Sequence, residues 1–122
     1  MSSYPKEISY HPEHMWYRGT DGVCGITYYA QHQLGEVMFL DMPAVGAKVR
    51  AGVMFASIES AKIVSDLISP VGGTIVEVNE MLEENPALVN ESPYSFGWIV
   101  KIEAQDKESL ISAQEYVDLL GK

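Results

Sequence analysis

Short apolar runs separated by turn-forming residues recur along the chain, and this alternation limits the folds open to it. Seven runs have the β-branched and aromatic composition of strands, and glycine, proline or aspartate residues lie between them. The runs are 15–18, 23–26, 36–40, 54–59, 63–68, 74–78 and 98–102, and the turn residues include Gly19, Pro43, Pro70 and the pair Gly72 and Gly73. Closely spaced short strands of this kind are typical of a small β-sandwich or barrel.

Three segments between or after these runs have helical signals. Thr27 is a suitable N-cap for a short helix that ends at the next glycine, and Asn79 is a suitable cap for a second one that ends before a proline. The clearest helix is predicted at about 106–120, with Asp106 as a possible cap. Its apolar residues recur at helical spacing and predict a core-facing stripe: Leu110, Ala113, Val117 and Leu120.

The composition predicts a single domain, 1–122, with a hydrophobic core. Of its 122 residues, 47% are hydrophobic, so the chain can bury a core without disulfides or metal. Cys24 is its one cysteine, so no disulfide can form within it. The first residues lack the basic and apolar regions of a signal peptide, and no run approaches the roughly 18 apolar residues of a membrane span. We therefore expect a soluble, cytoplasmic protein that does not enter membranes.

The charge disfavours two classes of partner. Seventeen acidic residues against eight basic ones give a net charge of −9. A surface of this sign repels the phosphates of nucleic acids and anionic lipids. Basic proteins are more suitable partners, although solubility alone is enough to explain such a charge.

One lysine stands out in the segment ESAKIVSD, residues 59–66. Gly52 lies ten residues before Lys62 and Gly73 lies eleven after it, and the runs between them have strand composition. Two such runs around a short polar segment predict a β-hairpin. Lys62 is therefore expected near the hairpin tip, where a modifying enzyme can reach its amine.

The sequence on both sides of this hairpin resembles one known family over nearly the whole chain. The shared motifs occur in order: GIT-YAQ-LGE at the first predicted helix, ES-x-K-x-x-SD at the hairpin, then SPV-G, VEVNE, PALVN and PY-x-x-GW. Together they resemble the H proteins of the glycine cleavage system, which are lipoyl carriers.

The resemblance implies a fold, a cofactor and a modifying enzyme. The fold would be mostly β, a barrel-sandwich hybrid of the lipoyl/biotinyl hammerhead type with short helices and a C-terminal helix. A lipoate-protein ligase would attach lipoate in amide linkage to Lys62, with Glu59 and Asp66 as parts of the lysine turn. Biotin carriers place their lysine between two methionines, which Ala61 and Ile63 do not match. The protein would then be a carrier without catalytic residues.

Some residues depart from the family pattern at the expected cleft for the loaded arm. Met15 stands where the HEW motif has a glutamate, and Tyr28 stands where an acid usually follows GIT. Gln33 occupies the position of a cleft histidine in some members, with His32 beside it. A cleft with fewer acids is less suited to an ammonium group. The possible cleft residues are therefore Met15, Tyr28, His32 and Gln33.

Two pathways fit this carrier. The departures slightly favour an H-like lipoate-binding protein of bacterial sulfur oxidation, with a heterodisulfide-reductase-like complex and dihydrolipoyl dehydrogenase as partners. The alternative is an H protein that carries the aminomethyl group between glycine decarboxylase, aminomethyltransferase and dihydrolipoyl dehydrogenase. In that case the departures are ordinary sequence drift, and Asp66, Glu13 or another acid takes the place of the missing cleft acids. Relay of lipoate to other carriers is a weaker third hypothesis.

Other functions have little support in the residues. His11, His14, His32 and Cys24 lack the spacing of a zinc motif, so no metal site is expected. Nucleophile-elbow, Walker and dinucleotide-binding motifs do not occur. A freestanding enzyme with a cleft near Met15 and Tyr28 remains the competing class.

Overall fold

The structure, a computed structural model, describes residues 3–121; the ends of the predicted domain, residues 1, 2 and 122, lie outside this range. The strands are β1 Ser9–His11, β2 Met15–Tyr17, β3 Val23–Ile26, β4 Val37–Asp41, β5 Lys48–Val49, β6 Met54–Ser60, β7 Val64–Ile68, β8 Gly72–Val78 and β9 Val100–Asp106. The helices are α1 Tyr28–Leu34, α2 Met81–Glu84, α3 Leu88–Glu91 and α4 Ala113–Leu120. None of the helices within the described range is long and apolar enough to span a membrane.

The strands form two antiparallel sheets with the main core between them. One sheet has six strands in the order β1-β2-β3-β9-β8-β5, and the other has three in the order β4-β6-β7. Strands of both sheets contribute to one buried cluster, which includes Ile26 and Ile102 from the first and Ile58 and Leu67 from the second. Alternation of buried and exposed residues along β6 matches a strand with one face on this core. The predicted mostly β fold with short helices and a C-terminal helix is confirmed.

The pair Gly72 and Gly73 does not form the predicted turn. Both residues lie in β8, which pairs with β9, and the register shifts between them. A side chain at Gly73 would collide with the carbonyl oxygen of Glu103 on β9. The glycines therefore permit a close approach of two strands at a bulge rather than a chain reversal.

A second buried cluster, rich in aromatic residues, lies beneath the C-terminal helix. Tyr116 of α4 stacks on Tyr10 of β1, with ring centroids 4.9 Å apart. Trp16 of β2 is fully buried and donates from Nε1 to the carbonyl oxygen of Pro93 at 3.0 Å. We call this cluster the aromatic end; its buried members are Ile8, Tyr10, Trp16, Val23, Ala113 and Tyr116.

The C-terminal helix begins later than predicted. Ser112 is its N-cap: Oγ accepts from the Glu115 amide at 3.1 Å, and the Glu115 carboxylate accepts from the Ser112 amide at 3.0 Å. Asp106 instead ends β9, because the chain continues its pairing with β8 to that residue. The predicted stripe also shifts, since Tyr116 is buried while Val117 is 40% exposed.

Candidate functional site

Lys62 lies at the tip of a hairpin that projects from the three-stranded sheet. Strands β6 and β7 pair antiparallel and leave residues 61–63 as the connection between them. The Lys62 side chain is exposed. Within residues 3–121 the one salt bridge joins Arg18 to Asp21, so no described carboxylate pairs with the amine of Lys62.

A buried serine fixes the backbone of the tip. Ser60 is 7% exposed, and its Oγ accepts from the amides of Lys62 at 3.1 Å and Ile63 at 3.2 Å. The Ser60 amide in turn donates to the carbonyl of Ile63 at 2.8 Å. The motifs in the sequence do not predict this role of Ser60. Its signal was a serine two residues before the lysine, where a hydroxyl can accept from the backbone of a turn.

The connection between α1 and β4, residues 34–37, lies against the same tip. The Ala61 amide donates to the carbonyl of Glu36 at 3.1 Å. Gly35 ends α1 with φ +74°, and a Cβ at this residue would lie 3.0 Å from Cε of Lys62. The lysine stem therefore passes over Gly35, a residue with no side chain to displace it.

The outward face of the small sheet is partly apolar. Phe39, Glu59 and Val64 are cross-strand neighbours on β4, β6 and β7, and Phe39 and Val64 are 55% and 69% exposed. Asp66 pairs with Ser57 along the same hairpin. The carboxylates of Glu59 and Asp66 are both exposed and lie on opposite strands below the lysine.

A cavity of about 140 Å³ lies beside the tip. Its walls come from α1, β2, β3, β6 and β7, and the chain segment before β2 contributes two polar residues. The lining residues are Glu13, His14, Met15, Ile26, Tyr29, Ala30, Gln33, Leu34, Ile58, Ile63, Ser65, Asp66, Leu67 and Ile68. Ile63 follows Lys62 directly in the chain, so the lysine is adjacent to a residue of the cavity wall.

The structure divides the four predicted cleft residues into two pairs. Met15, which is 1% exposed, and Gln33 line the cavity with Asp66. Tyr28 and His32 do not line it; their rings stack at 6.0 Å on another side of α1. Helical spacing explains the division, because residues four apart share a face of a helix and adjacent residues do not. The same spacing in the sequence could have separated Tyr28 from Gln33.

His14 joins the cavity wall to the aromatic end. Its Nδ1 lies 2.7 Å from the hydroxyl of Tyr116, which lies 2.8 Å from Oγ1 of Thr27, the N-cap of α1. Burial lowers the pKa of His14, although the nearby Glu13 opposes the shift. Burial also raises the pKa of the Tyr116 phenol. At neutral pH this part of the wall is therefore neutral, and the formal charges at the cavity are those of Glu13 and Asp66.

The structure does not bring His11, His14, His32 and Cys24 together as a group that could hold a metal ion. His11 accepts from the Glu13 amide through Nδ1 at 3.0 Å, while Cys24 is buried in β3, where burial raises the pKa of its thiol. In the part of the chain that the structure describes, no three His, Cys, Asp or Glu side chains come close enough to share a metal ion.

A small β domain that presents one lysine on a hairpin tip beside a cleft has the architecture of a prosthetic-group carrier. Comparison with known proteins agrees with this class. Residues 8–122 match the family model described as Glycine cleavage H-protein. Proteins named Glycine cleavage system H protein from Bacillus cereus and from Carboxydothermus hydrogenoformans are each 44% identical to the chain over 125 aligned positions. The alignments cover 98% of this chain and 98% and 96% of those proteins.

A solved structure is similar as well. The crystal structure of a glycine cleavage system H protein from Mycobacterium marinum superposes with a TM-score of 0.88 at 36% identity, covering 97% of this chain and 99% of that one. The chain belongs to the glycine cleavage H-protein family. Members of this family are lipoyl carrier components rather than enzymes, and lipoate is attached covalently to one of their lysines. The matches favour the glycine cleavage alternative, and nothing in them supports the sulfur-oxidation paralogue that the sequence analysis preferred.

Proposed function

We propose that the protein carries lipoate on Lys62 and serves as the H protein of a glycine cleavage system. The exposed, unpaired amine of Lys62 at the hairpin tip is the observation on which this proposal rests. The tip also fits the group, because Gly35 places no side chain against the end of the lysine stem. Lys48 differs, because it lies within β5 rather than on a hairpin tip and its amine donates to Thr74 Oγ1 at 2.9 Å.

Attachment requires one bond exchange at Lys62. The unprotonated amine attacks the carbonyl carbon of an activated lipoyl group that a lipoate-protein ligase holds. The bond from that carbon to its leaving group breaks, an amide bond forms, and the amine nitrogen loses one proton. The fixed backbone around Ser60 presents the amine to the ligase, and Glu59 and Asp66 offer it carboxylates on either strand. Once attached, lipoate supplies a dithiolane that can be reduced to two thiols and can carry a group on sulfur.

The proposed cargo is the aminomethyl group, carried between glycine decarboxylase, aminomethyltransferase and dihydrolipoyl dehydrogenase. The relatives at 44% identity, which are named glycine cleavage system H proteins, support this pathway. The tether raises the effective concentration of the cargo at each partner without a new protein contact. These partners and the cytoplasmic location are proposals for this chain.

The cavity supports a cationic cargo even though Met15 replaces the usual glutamate. The cavity still has Asp66 and Glu13, and the pKa of His14 is lowered, so the histidine does not oppose a cation at neutral pH. A carboxylate near an ammonium group favours the charged form. We therefore propose that Asp66 and Glu13 interact with the protonated amine of the cargo, whereas Met15 belongs to the apolar part of the cavity wall.

Glycine-dependent bicarbonate exchange with a glycine decarboxylase tests this function. The lipoylated protein should support exchange, and Lys62→Arg should abolish it. Asp66→Asn should slow exchange more than Asp41→Asn, because Asp41 is a second exposed carboxylate of the small sheet that does not line the cavity. Absence of exchange with fully lipoylated protein would exclude the glycine cleavage pathway, and equal effects of the two asparagine variants would exclude the role of Asp66.

A further inference from the structure

One side chain of α3, that of Asn90, fixes the 34–37 connection. Asn90 does not line the cavity beside Lys62, and the motifs in the sequence assign it no role. The side-chain nitrogen of Asn90, Nδ2, donates to the carbonyl of Gly35 at 2.7 Å and lies 3.3 Å from Oε1 of Gln31. Its oxygen accepts from the amide of Val37 at 2.9 Å. Asn90 therefore binds the backbone immediately before and immediately after Glu36.

The residue between these two contacts holds the lysine tip. The carbonyl of Glu36 accepts from Ala61, the residue before Lys62, and Gly35 is the surface over which the lysine stem runs. The contacts thus form one continuous series, from Asn90 through residues 35–37 to the backbone and side chain at the tip. Ser60 fixes the tip from within the hairpin, whereas this series fixes it relative to α1 and the cavity.

We propose that Asn90 is a positioning residue for acylation of Lys62, acting through the 34–37 connection, with Gly35 as the second member of the same device. The proposal rests on the proposed function, since it concerns how the lysine is presented to the ligase. Loss of a donor that holds a loop leaves the loop free to sample other arrangements. Only a fraction of the molecules then presents the lysine correctly, so the apparent affinity of the ligase is its intrinsic affinity multiplied by that fraction.

Asn90→Asp tests the proposal with little change in side-chain size. The variant keeps an acceptor for Val37 but loses both amide hydrogens, and it places a carboxylate oxygen against the carbonyl of Gly35. Asn79→Asp is the matched control. The Asn79 amide also donates to two backbone carbonyls, those of Phe96 and Trp98 at 3.0 and 2.8 Å, but it makes no contact with the 34–37 connection.

Two measurements are made on each full-length variant under conditions where circular dichroism shows that it is folded. The first is the rate of lipoylation by a lipoate-protein ligase, followed by intact mass. For Asn90→Asp we expect kcat/KM to fall about tenfold, mainly through a higher KM, and for Asn79→Asp we expect no change. The second is hydrogen exchange of the Ala61 amide, which should become faster in Asn90→Asp alone. Unchanged kinetics in Asn90→Asp, or equal losses in both variants, would overturn the proposal.

A glycine pair keeps the proposal testable if Asn90→Asp does not fold. Gly35 and Gly52 both have positive φ values, +74° and +80°, so alanine strains the backbone at each of them. Gly52 has open space where a Cβ would lie, whereas a Cβ at Gly35 would meet Lys62. Gly35→Ala should therefore lower kcat/KM for lipoylation several-fold more than Gly52→Ala.

The outcomes separate this inference from the proposed function. If the unaltered protein is lipoylated on Lys62 but Asn90→Asp and Gly35→Ala are modified as fast as their controls, the positioning role is wrong and the carrier function stands. If the unaltered protein gains no lipoyl group on Lys62, the proposed function itself fails.

Discussion

The two ends of this molecule are stabilised in different ways. At the aromatic end, Tyr10, Trp16 and Tyr116 are fully buried and stack or donate hydrogen bonds. At the lysine tip, Lys62 is exposed and Val64 beside it is 69% exposed. Burial of large side chains gives the first end its stability, whereas a few backbone hydrogen bonds fix the second. The tip can therefore offer surface to partners without loss of the fold, because its apolar residues contribute little to the core.

The largest effect should come from truncation at the aromatic end. Tyr116→Ala removes a fully buried ring and should lower the free energy of unfolding by about 3–5 kcal/mol. Val64→Ala removes an exposed side chain and should change it by less than about 0.5 kcal/mol. Urea unfolding of both variants measures the difference. Similar losses would show that the two ends are not stabilised differently.

A smaller effect should follow from loss of one hydroxyl at the aromatic end. Tyr116→Phe keeps the ring but leaves Nδ1 of His14 and Oγ1 of Thr27 without their shared partner. We expect a loss of about 1–3 kcal/mol in the free energy of unfolding. Tyr28→Phe is a suitable control, since Tyr28 is 41% exposed and should tolerate the change. A neutral Tyr116→Phe would mean that His14 and Thr27 find other partners.

The smallest change in the free energy of unfolding should appear when the pH is lowered. Burial lowers the pKa of both His11 and His14 in the folded protein. As the pH falls, the unfolded chain therefore binds protons at these histidines at a higher pH than the folded protein does. Their contribution to stability is therefore present above the ordinary histidine pKa of about 6.5 and is lost as pH falls through their lower folded values. Urea unfolding from pH 7.5 to pH 5 should show declining stability. The decline should be shallower in His14→Gln, and an equal slope in that variant would contradict this origin.

Much of the lysine end could be predicted from the sequence, because its signals are local. The runs on either side of Lys62 have strand composition, and the polar residues between them predict a hairpin. The cap at Thr27 is also a local signal, and its Oγ1 accepts from the Ala30 amide at 3.2 Å as a cap should.

What the sequence could not predict depends on contacts between distant segments. Gly72 and Gly73 have the composition of a turn, and only the approach of β9 places them in a strand. Asn90 lies in a four-residue helix with no strong signal, and its role becomes visible only where it meets residues 35 and 37. The preference for another pathway came from Met15 and Tyr28, but only Met15 lines the cavity. The two acids replaced in the sequence are therefore one acid replaced in the cleft, which Gln33 also lines.

Peptide mapping after enzymatic lipoylation determines whether Lys62 is the lysine that bears lipoate. The purified protein is incubated with lipoate, ATP and a lipoate-protein ligase, and its peptides are analysed by mass spectrometry beside Lys62→Arg and Lys48→Arg. We predict one lipoyl group per chain on the peptide that contains Lys62, its complete loss in Lys62→Arg and no change in Lys48→Arg. A lipoyl group that persists in Lys62→Arg, or that maps to another lysine in the unaltered protein, would show that Lys62 is not the carrier lysine.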